Sequence, residues 1–362
     1  MPQRARILAL ASELRAAFEA QGAIVVETPI LQPAETLLDL YGEDIRARAY
    51  VTSDALRGEQ MLRPDFTVPV VQMHMAHGAE PARYTYAGEV FRRQELDEDR
   101  ANEYIQVGYE VFDRTDPSGA DAEVFGLFWD LLAPYGLRAA TGDMGILMAA
   151  VRGLNTTERR RAALMRHIWR PRRFRALLDR FSGGATVPPA RAALLASADP
   201  FAQAGPEIGL RSRAEVAERI AALRDDAAAG PISEHEIAGL DAILGTRETA
   251  PFALERLRDI AVDLASITPA LDRLDARIEA LAARGIDVDA LDFEASYGRT
   301  QMEYYDGFVF GFYAPSRPDL PPIASGGRYD ALTRHLGQGT EIPAVGGVMR
   351  PGLLVDLGEA RP

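Results

Sequence analysis

Tyr104-Ile-Gln-Val-Gly-Tyr-Glu-Val111 alternates without a break: Ile105, Val107, Tyr109 and Val111 fall on one side, Gln106, Gly108 and Glu110 on the other. A period of two belongs to a β-strand, whose successive side chains point to opposite faces of a sheet. One face is therefore a core. The other presents an amide, a carboxylate and a glycine that leaves room between them. The preceding stretch, Arg83–Arg93, keeps the same period and puts Tyr84, Tyr86, Gly88, Val90 and Arg92 on one face. If 83–93 and 102–113 pair as a hairpin, Arg92 and Glu110 line one concave surface, suited to an amphoteric ligand such as an amino acid. A half-exposed antiparallel sheet with Gln106 and Glu110 in solvent fits the same period.

Outward from this hairpin, Arg4–Phe18 carries Ile7, Leu8, Leu10, Leu14, Ala17 and Phe18 at spacings of three and four, an amphipathic helix. Ala23–Pro29 is β-branched and ends in proline, as an edge strand does, and Pro33 starts a short helix to Tyr41. Short strands near Tyr50 and Met61, a helix over Thr67–His77, and helices around Ala120–Leu132 and Asp143–Leu154 complete a first block. Arg159–Arg284 is rich in alanine, arginine and leucine and poor in β-branched runs, which predicts helices. Strand character returns at Val288–Tyr297, Tyr304–Tyr313, Ile323–Ser325 and Ala344–Met349. The predicted class is α+β: an antiparallel sheet flanked by helices, built from residues 1–155 and 286–362, with 156–285 inserted as a helical module.

Composition narrows the chemistry. The 362 residues include no cysteine, which excludes disulfides, thiolate metal sites, iron–sulfur clusters and cysteine nucleophiles. They include no lysine either, since all 40 basic residues are arginine, so Schiff-base and P-loop lysines are excluded. No stretch approaches the roughly 20 apolar residues of a membrane span. Arg4, Arg6, Glu13, Arg15 and Glu19 argue against a secretory leader, and a cytoplasmic protein is expected. The net charge of −13 weighs against a broad nucleic-acid footprint. Arg152–Arg180 departs from that balance, with ten arginines against Glu158 and Asp179. It reads either as a solvated helix face or as a contact for an acidic or phosphate-bearing partner.

Five motifs occur in a fixed order: Arg63-Pro64-Asp65-Phe66-Thr67, Tyr86–Arg92, Gln106 with Glu110, Glu303-Tyr304-Tyr305, and Gly326-Gly-Arg-Tyr-Asp330. Together they resemble the catalytic domain of histidyl-tRNA synthetase, a class II synthetase, and Glu27-Thr28-Pro29 resembles the end of its motif 1 at the dimer interface. The resemblance implies a histidine pocket. Asp65, in place of the family's glutamate, and Thr67 match residues that hold the α-amino group. Gln106 matches a pocket amide, Glu110, Tyr305 and Tyr329 match residues around the imidazole, and Arg92 and Tyr304 complete the set. For the three tyrosines, aromatic core packing is the alternative. No metal or cofactor is implied.

The ATP side departs from the family pattern. Arg92 matches the motif 2 arginine that contacts the α-phosphate. Gln94 stands in place of an acid and Asn102 where a second arginine belongs. Thr300 occupies a further arginine position, with Arg299 one step off. In motif 3 the arginine position falls on Leu353, and Pro351 is expected to interrupt the helix start. Adenylation stabilises a transferring phosphoryl group with preplaced cations, and three of these are replaced. A synthetase would also continue past Pro362 into an anticodon-binding domain. This combination resembles the ATP phosphoribosyltransferase regulatory subunits, which associate with the short catalytic form of that enzyme in the first step of histidine biosynthesis. The resemblance implies a chain without adenylation activity and a homodimer within a larger hetero-oligomer. It also implies L-histidine as ligand, and a role in supporting the partner's activity and its feedback inhibition. A histidine-adenylating enzyme or ligase, and a tRNA-binding module disfavoured by the charge, are the alternatives.

Overall fold

The computed structural model describes residues 3–41, 45–94, 100–299 and 304–359. Twelve strands occur among them: β1 (Ile24–Val25), β2 (Leu31–Pro33), β3 (Val51–Asp54), β4 (Gly58–Leu62), β5 (Ala82–Phe91), β6 (Glu103–Phe112), β7 (Arg138–Asp143), β8 (Arg247–Thr249), β9 (Asp292–Glu294), β10 (Phe308–Tyr313), β11 (Ala324–Arg328) and β12 (Ala344–Met349). Nine form one sheet in the order β1-β5-β6-β12-β11-β10-β7-β9-β8, and β2-β4-β3 form a small second sheet. The expected hairpin is the longest pairing of the nine-stranded sheet, with Tyr84 opposite Glu110, Tyr86 opposite Gly108 and Gly88 opposite Gln106. The sheet is not antiparallel throughout: β1 runs parallel to β5 and β9 parallel to β7. The expected strand at Ala23–Pro29 shrinks to β1 at the sheet edge, and that at Val288–Tyr297 to β9 after a short 3-10 turn at Val288–Ala290.

Both faces of β6 are covered. Tyr109 stacks on Phe18 of the helix Gln3–Glu19 at 5.1 Å and donates its hydroxyl to Glu123 of the helix Pro117–Leu132. The opposite face lies under the helix Thr67–His77, where His74 stacks on Phe112 with ring centroids 3.9 Å apart. Val68, Val70 and Val71 of that helix are fully buried, each worth about 2 kcal/mol of apolar transfer. Gln106 and Glu110 are consequently 0% and 1% exposed, so the solvent-facing reading of this strand does not hold.

Five helices, Glu158–Arg166, Pro171–Phe181, Pro189–Ala196, Arg213–Ala228 and Glu234–Leu244, follow where helices were expected. Ser212 and Ser233 start two of them with capping boxes. The remainder of 156–285 joins the sheet domain: Arg247–Thr249 is β8, and the helix Thr268–Ala283 packs on Pro117–Leu132. Arg277 is the bolt, buried with Nε 2.9 Å from Asp121 and Nη2 2.7 Å from Asp143. At the other end of the chain Pro351 does not interrupt the last helix but opens it, Pro351–Glu359. The first turn has orphan N–H groups in any case, so proline's missing N–H costs nothing there. No helix among the described residues is long and apolar enough to cross a membrane.

Candidate ligand-binding site

A cavity of about 140 Å³ opens where β6, β11 and β12 meet the loop before the helix Thr67–His77, and Asp65, Thr67, Arg92, Gln106, Tyr304 and Tyr305 line it. These are six of the eight residues expected of the histidine pocket. Drug-sized sites run to about 300–1,000 Å³, so this one suits a ligand the size of an amino acid. Glu303 and Thr300 lie outside the described residues.

Gln106 is the open group of the site. It is fully buried, and neither its Oε1 nor its Nε2 has a hydrogen-bond partner among the described residues. A buried polar group without a partner costs about 1–3 kcal/mol, so both ends of this amide are available to an occupant. Asp65, 3% exposed, accepts from the Val68 N–H at 3.3 Å and lines the cavity.

Glu110 and Tyr329 do not line the cavity; they stand behind it. Glu110 Oε1 accepts from the Thr67 hydroxyl at 3.0 Å and the Tyr86 hydroxyl at 2.8 Å, and Oε2 accepts from the Tyr329 hydroxyl at 2.6 Å. Burial pushes the Glu110 carboxyl up to about 7, against the three hydroxyl bonds that pull it down. Burial and the nearby Glu110 likewise push the Tyr86 and Tyr329 hydroxyls well above their ordinary range, so both remain donors. Two glycines make this cluster possible. A Cβ at Gly346 would lie 1.4 Å from Glu110 Oε2, and one at Gly108 would lie 2.1 Å from the Tyr86 ring. The room that the sequence pattern left at Gly108 is thus taken by Tyr86. The expected pairing of Arg92 with Glu110 in one concave surface becomes Arg92 with Gln106.

Beside this pocket lies a cavity of about 770 Å³, lined among others by Arg92, Gln94 and Leu353, three of the positions that the resemblance linked to ATP. Arg92 and Arg350 line both. Arg350 was not singled out from the sequence. Its guanidinium donates to the Pro322 carbonyl and lies 5.9 Å from the Tyr104 ring. Burial lowers its proton affinity, and the neighbouring Arg92 and Arg100 lower it further. Only the strand register reveals it: β12 pairs Val348 with Gly108, so the next position on that face, Arg350, falls beside Gln106. Asn102, in place of an arginine, closes the end of the hairpin, accepting from the Arg92 N–H through its carbonyl and from the Gln94 N–H through its side chain. Arg299 lines neither cavity. It points into the helical segment, donating to the Ile168 carbonyl at 2.9 Å over the Phe174 ring, and burial lowers its proton affinity to about 10.

The family model for histidyl-tRNA synthetase matches residues 1–219 and 213–352. The ATP phosphoribosyltransferase regulatory subunit of Brucella anthropi is 33% identical, over 92% of this chain and 93% of its own length. That of Brucella ovis is 31% identical, over 92% and 93%. In fold, the chain is similar to an ATP phosphoribosyltransferase regulatory subunit/histidyl-tRNA synthetase from Bacillus halodurans, with a TM-score of 0.69 at 22% identity over 99% of this chain and 80% of that one. It is also similar to histidyl-tRNA synthetase from a Nostoc species, with a TM-score of 0.66 at 17% identity over 99% and 73%. The chain therefore belongs to the histidyl-tRNA synthetase-like family of ATP phosphoribosyltransferase regulatory subunits.

Proposed function

We propose that this chain acts without chemistry of its own, in the cytoplasm, as the regulatory subunit of an ATP phosphoribosyltransferase: it supports the short catalytic subunit and carries feedback inhibition by histidine. The observation that carries the ligand is Gln106, whose buried donor and acceptor stand open in a pocket of amino-acid size. Asp65 and Thr67 offer partners for an α-amino group, Arg92 a charge for the carboxylate, and Tyr304 and Tyr305 flat walls for a ring. Glu110 and Tyr329 act at one remove, by fixing the Thr67 hydroxyl. Regulation then needs only that histidine and the partner share a coupling free energy, typically about 1–3 kcal/mol.

Purified with a cognate short-form catalytic subunit, the chain should raise its activity and confer inhibition by histidine. Histidine, unlike glutamine or arginine, should raise the unfolding temperature of the chain. Failure of both would sink this reading. A homodimer through the apolar edge at Ile24, Val25, Ile30 and Leu31, all exposed, belongs to the proposal, and sedimentation should give about twice 39.5 kDa. Arg350, which puts a second cation beside Arg92, favours histidine adenylation as the second reading. Histidine-dependent ATP–pyrophosphate exchange decides between the two.

A further inference from the structure

A third cavity, of about 510 Å³, lies on the far side of Tyr304 from the pocket, between the helix Thr268–Ala283, the end of the helix Met144–Gly153 and the turn after the helix Glu158–Arg166. Tyr304 lines both this cavity and the pocket, and they share no other lining residue. Its walls hold several buried acids, and each already has its hydrogen bonds. Asp121 accepts from Arg277 and Arg328, and Asp143 from Arg277 and the Gly145 N–H. Asp306 accepts from the Asp330 and Ala331 N–H groups, and Asp330 from Arg328 and the Ala344 N–H.

What remains open on the buried wall is donors. Arg277 is 3% exposed, and its Nη1 has no partner among the described residues; the same holds for Trp169 Nε1. Arg273, one helical turn before Arg277, and Arg152 also line the cavity, and neither makes a hydrogen bond or ion pair among the described residues. Met148, Met165 and Leu332 give the rest of the wall an apolar surface. Asp39 stands exposed at the rim, and Glu341 there is paired with Arg334. A buried guanidinium nitrogen and an indole N–H without partners among the described residues, on two residues that line one cavity whose buried acids are already hydrogen-bonded, call for an acceptor that carries negative charge.

We infer that this cavity is a second ligand site, separate from the histidine pocket, that binds the oxyanion of a small phosphorylated or carboxylated molecule through Arg277 Nη1, Trp169 Nε1 and Arg273. The apolar wall takes the organic part of that molecule. Arg277 cannot itself be removed as a test, because it holds Asp121 and Asp143. Trp169→Phe keeps the ring and deletes only the donor, and Arg273→Ala removes an exposed side chain.

Thermal unfolding of the full chain should be followed against inorganic phosphate and, separately, acetate, each compared with potassium chloride at the same ionic strength. Stabilisation by phosphate would mark the source as a phosphorylated molecule, and by acetate alone a carboxylated one. Trp169→Phe and Arg273→Ala should each weaken the effective anion by about tenfold, the worth of one hydrogen bond to a charged group, while Arg350→Ala leaves it unchanged. No stabilisation by either anion at about 50 mM, or an effect equal in wild type and both cavity variants, overturns the assignment. An effect lost only in Arg350→Ala overturns it too, because the anion would then sit in the arginine-lined cavity beside the pocket. None of these readouts uses histidine, so a chain that fails to bind histidine still tests the site.

Discussion

Gln106 and Glu110 lie four residues apart on one face of one strand, both out of solvent, yet their polar atoms stand in opposite conditions. Glu110 has three hydroxyl donors from three separate elements, while the Gln106 side chain has no partner among the described residues. A buried polar group with every bond made by the protein ties the fold together. One left open calls for a reason, which the proposed ligand supplies. The sequence pattern puts both on the ligand face, and only the partners separate their roles.

The largest consequence falls on Glu110→Ala. From the sequence alone it reads as a change that removes a ligand contact without harm to the fold. With three hydroxyls deprived of their acceptor, at about 1–3 kcal/mol each, and a void opened between β6 and the helix Thr67–His77, the structure instead predicts a loss of about 4 kcal/mol. Urea denaturation measures it, and a loss below about 1 kcal/mol would return Glu110 to the ligand face.

Glu110 also sets a pH dependence. Its folded value, about 7, lies above its ordinary 4.5 because burial disfavours the charge. Between those values the folded chain holds a proton that the unfolded chain has lost, so stability falls as pH rises from 4.5 through 7 and is level above. At about 1.4 kcal/mol per pH unit, the drift reaches about 3 kcal/mol. Asp306, also raised to about 7 by burial and by Asp330, adds in the same direction. His74, whose proton affinity burial lowers, opposes it below pH 6.5. Subtracting the pH profile of Glu110→Gln from that of wild type isolates the first contribution; parallel profiles would refute it.

Gln106→Met inverts the comparison. Removing an unsatisfied amide from a buried wall should leave stability unchanged or raise it by about 1 kcal/mol, while abolishing stabilisation by histidine. A Gln106→Met chain that still responds to histidine as wild type does would place the ligand elsewhere.

Much of this arrangement was legible in the sequence, and the failures have physical causes. The hairpin follows from a strong period of two, and its ends, with those of the helix Thr67–His77 and β12, agree with the structure to within about two residues. β7 was not read, because Ala139, Ala140 and Gly142 carry no β-branched signal; this strand is chosen by the space between β10 and β9, where a Cβ at Gly142 would meet the Glu294 carbonyl at 2.6 Å. β8 and the helix Thr268–Ala283 look like the helices before them in composition; what assigns β8 to the sheet is its pairing with β9, and what ties the helix there is Arg277, whose two aspartates lie 156 and 134 residues away. Pairings that distant leave no local trace. The six pocket residues were found through the family motifs, whereas the retreat of Glu110 and Tyr329 behind the wall depends on which rotamers three hydroxyls adopt.

The smallest expected effect concerns the arginine-rich stretch, where the same contrast between satisfied and open groups divides a single cluster. Arg160 and Arg180 hold Asp226, Arg175 holds Asp241 and Arg161 pairs with Glu158, so these four are structural. Arg166, Arg172 and Arg173 are exposed and make no ion pair among the described residues. Their field registers on His167, whose proton affinity is lowered first by burial and then by Arg170, Arg173 and Arg166. Exposed charges of this kind contribute to on-rate and salt dependence more than to affinity, and within one chain they repel. Arg172→Glu with Arg173→Glu should therefore leave the unfolding midpoint within about 0.5 kcal/mol and weaken association with a short-form catalytic subunit by about tenfold at about 50 mM salt, an effect that shrinks by about 500 mM as screening closes to a few ångströms. Association unchanged at low salt would move the interface to another face of the molecule, while a fall in the unfolding midpoint would show that these two arginines, too, have partners within the fold.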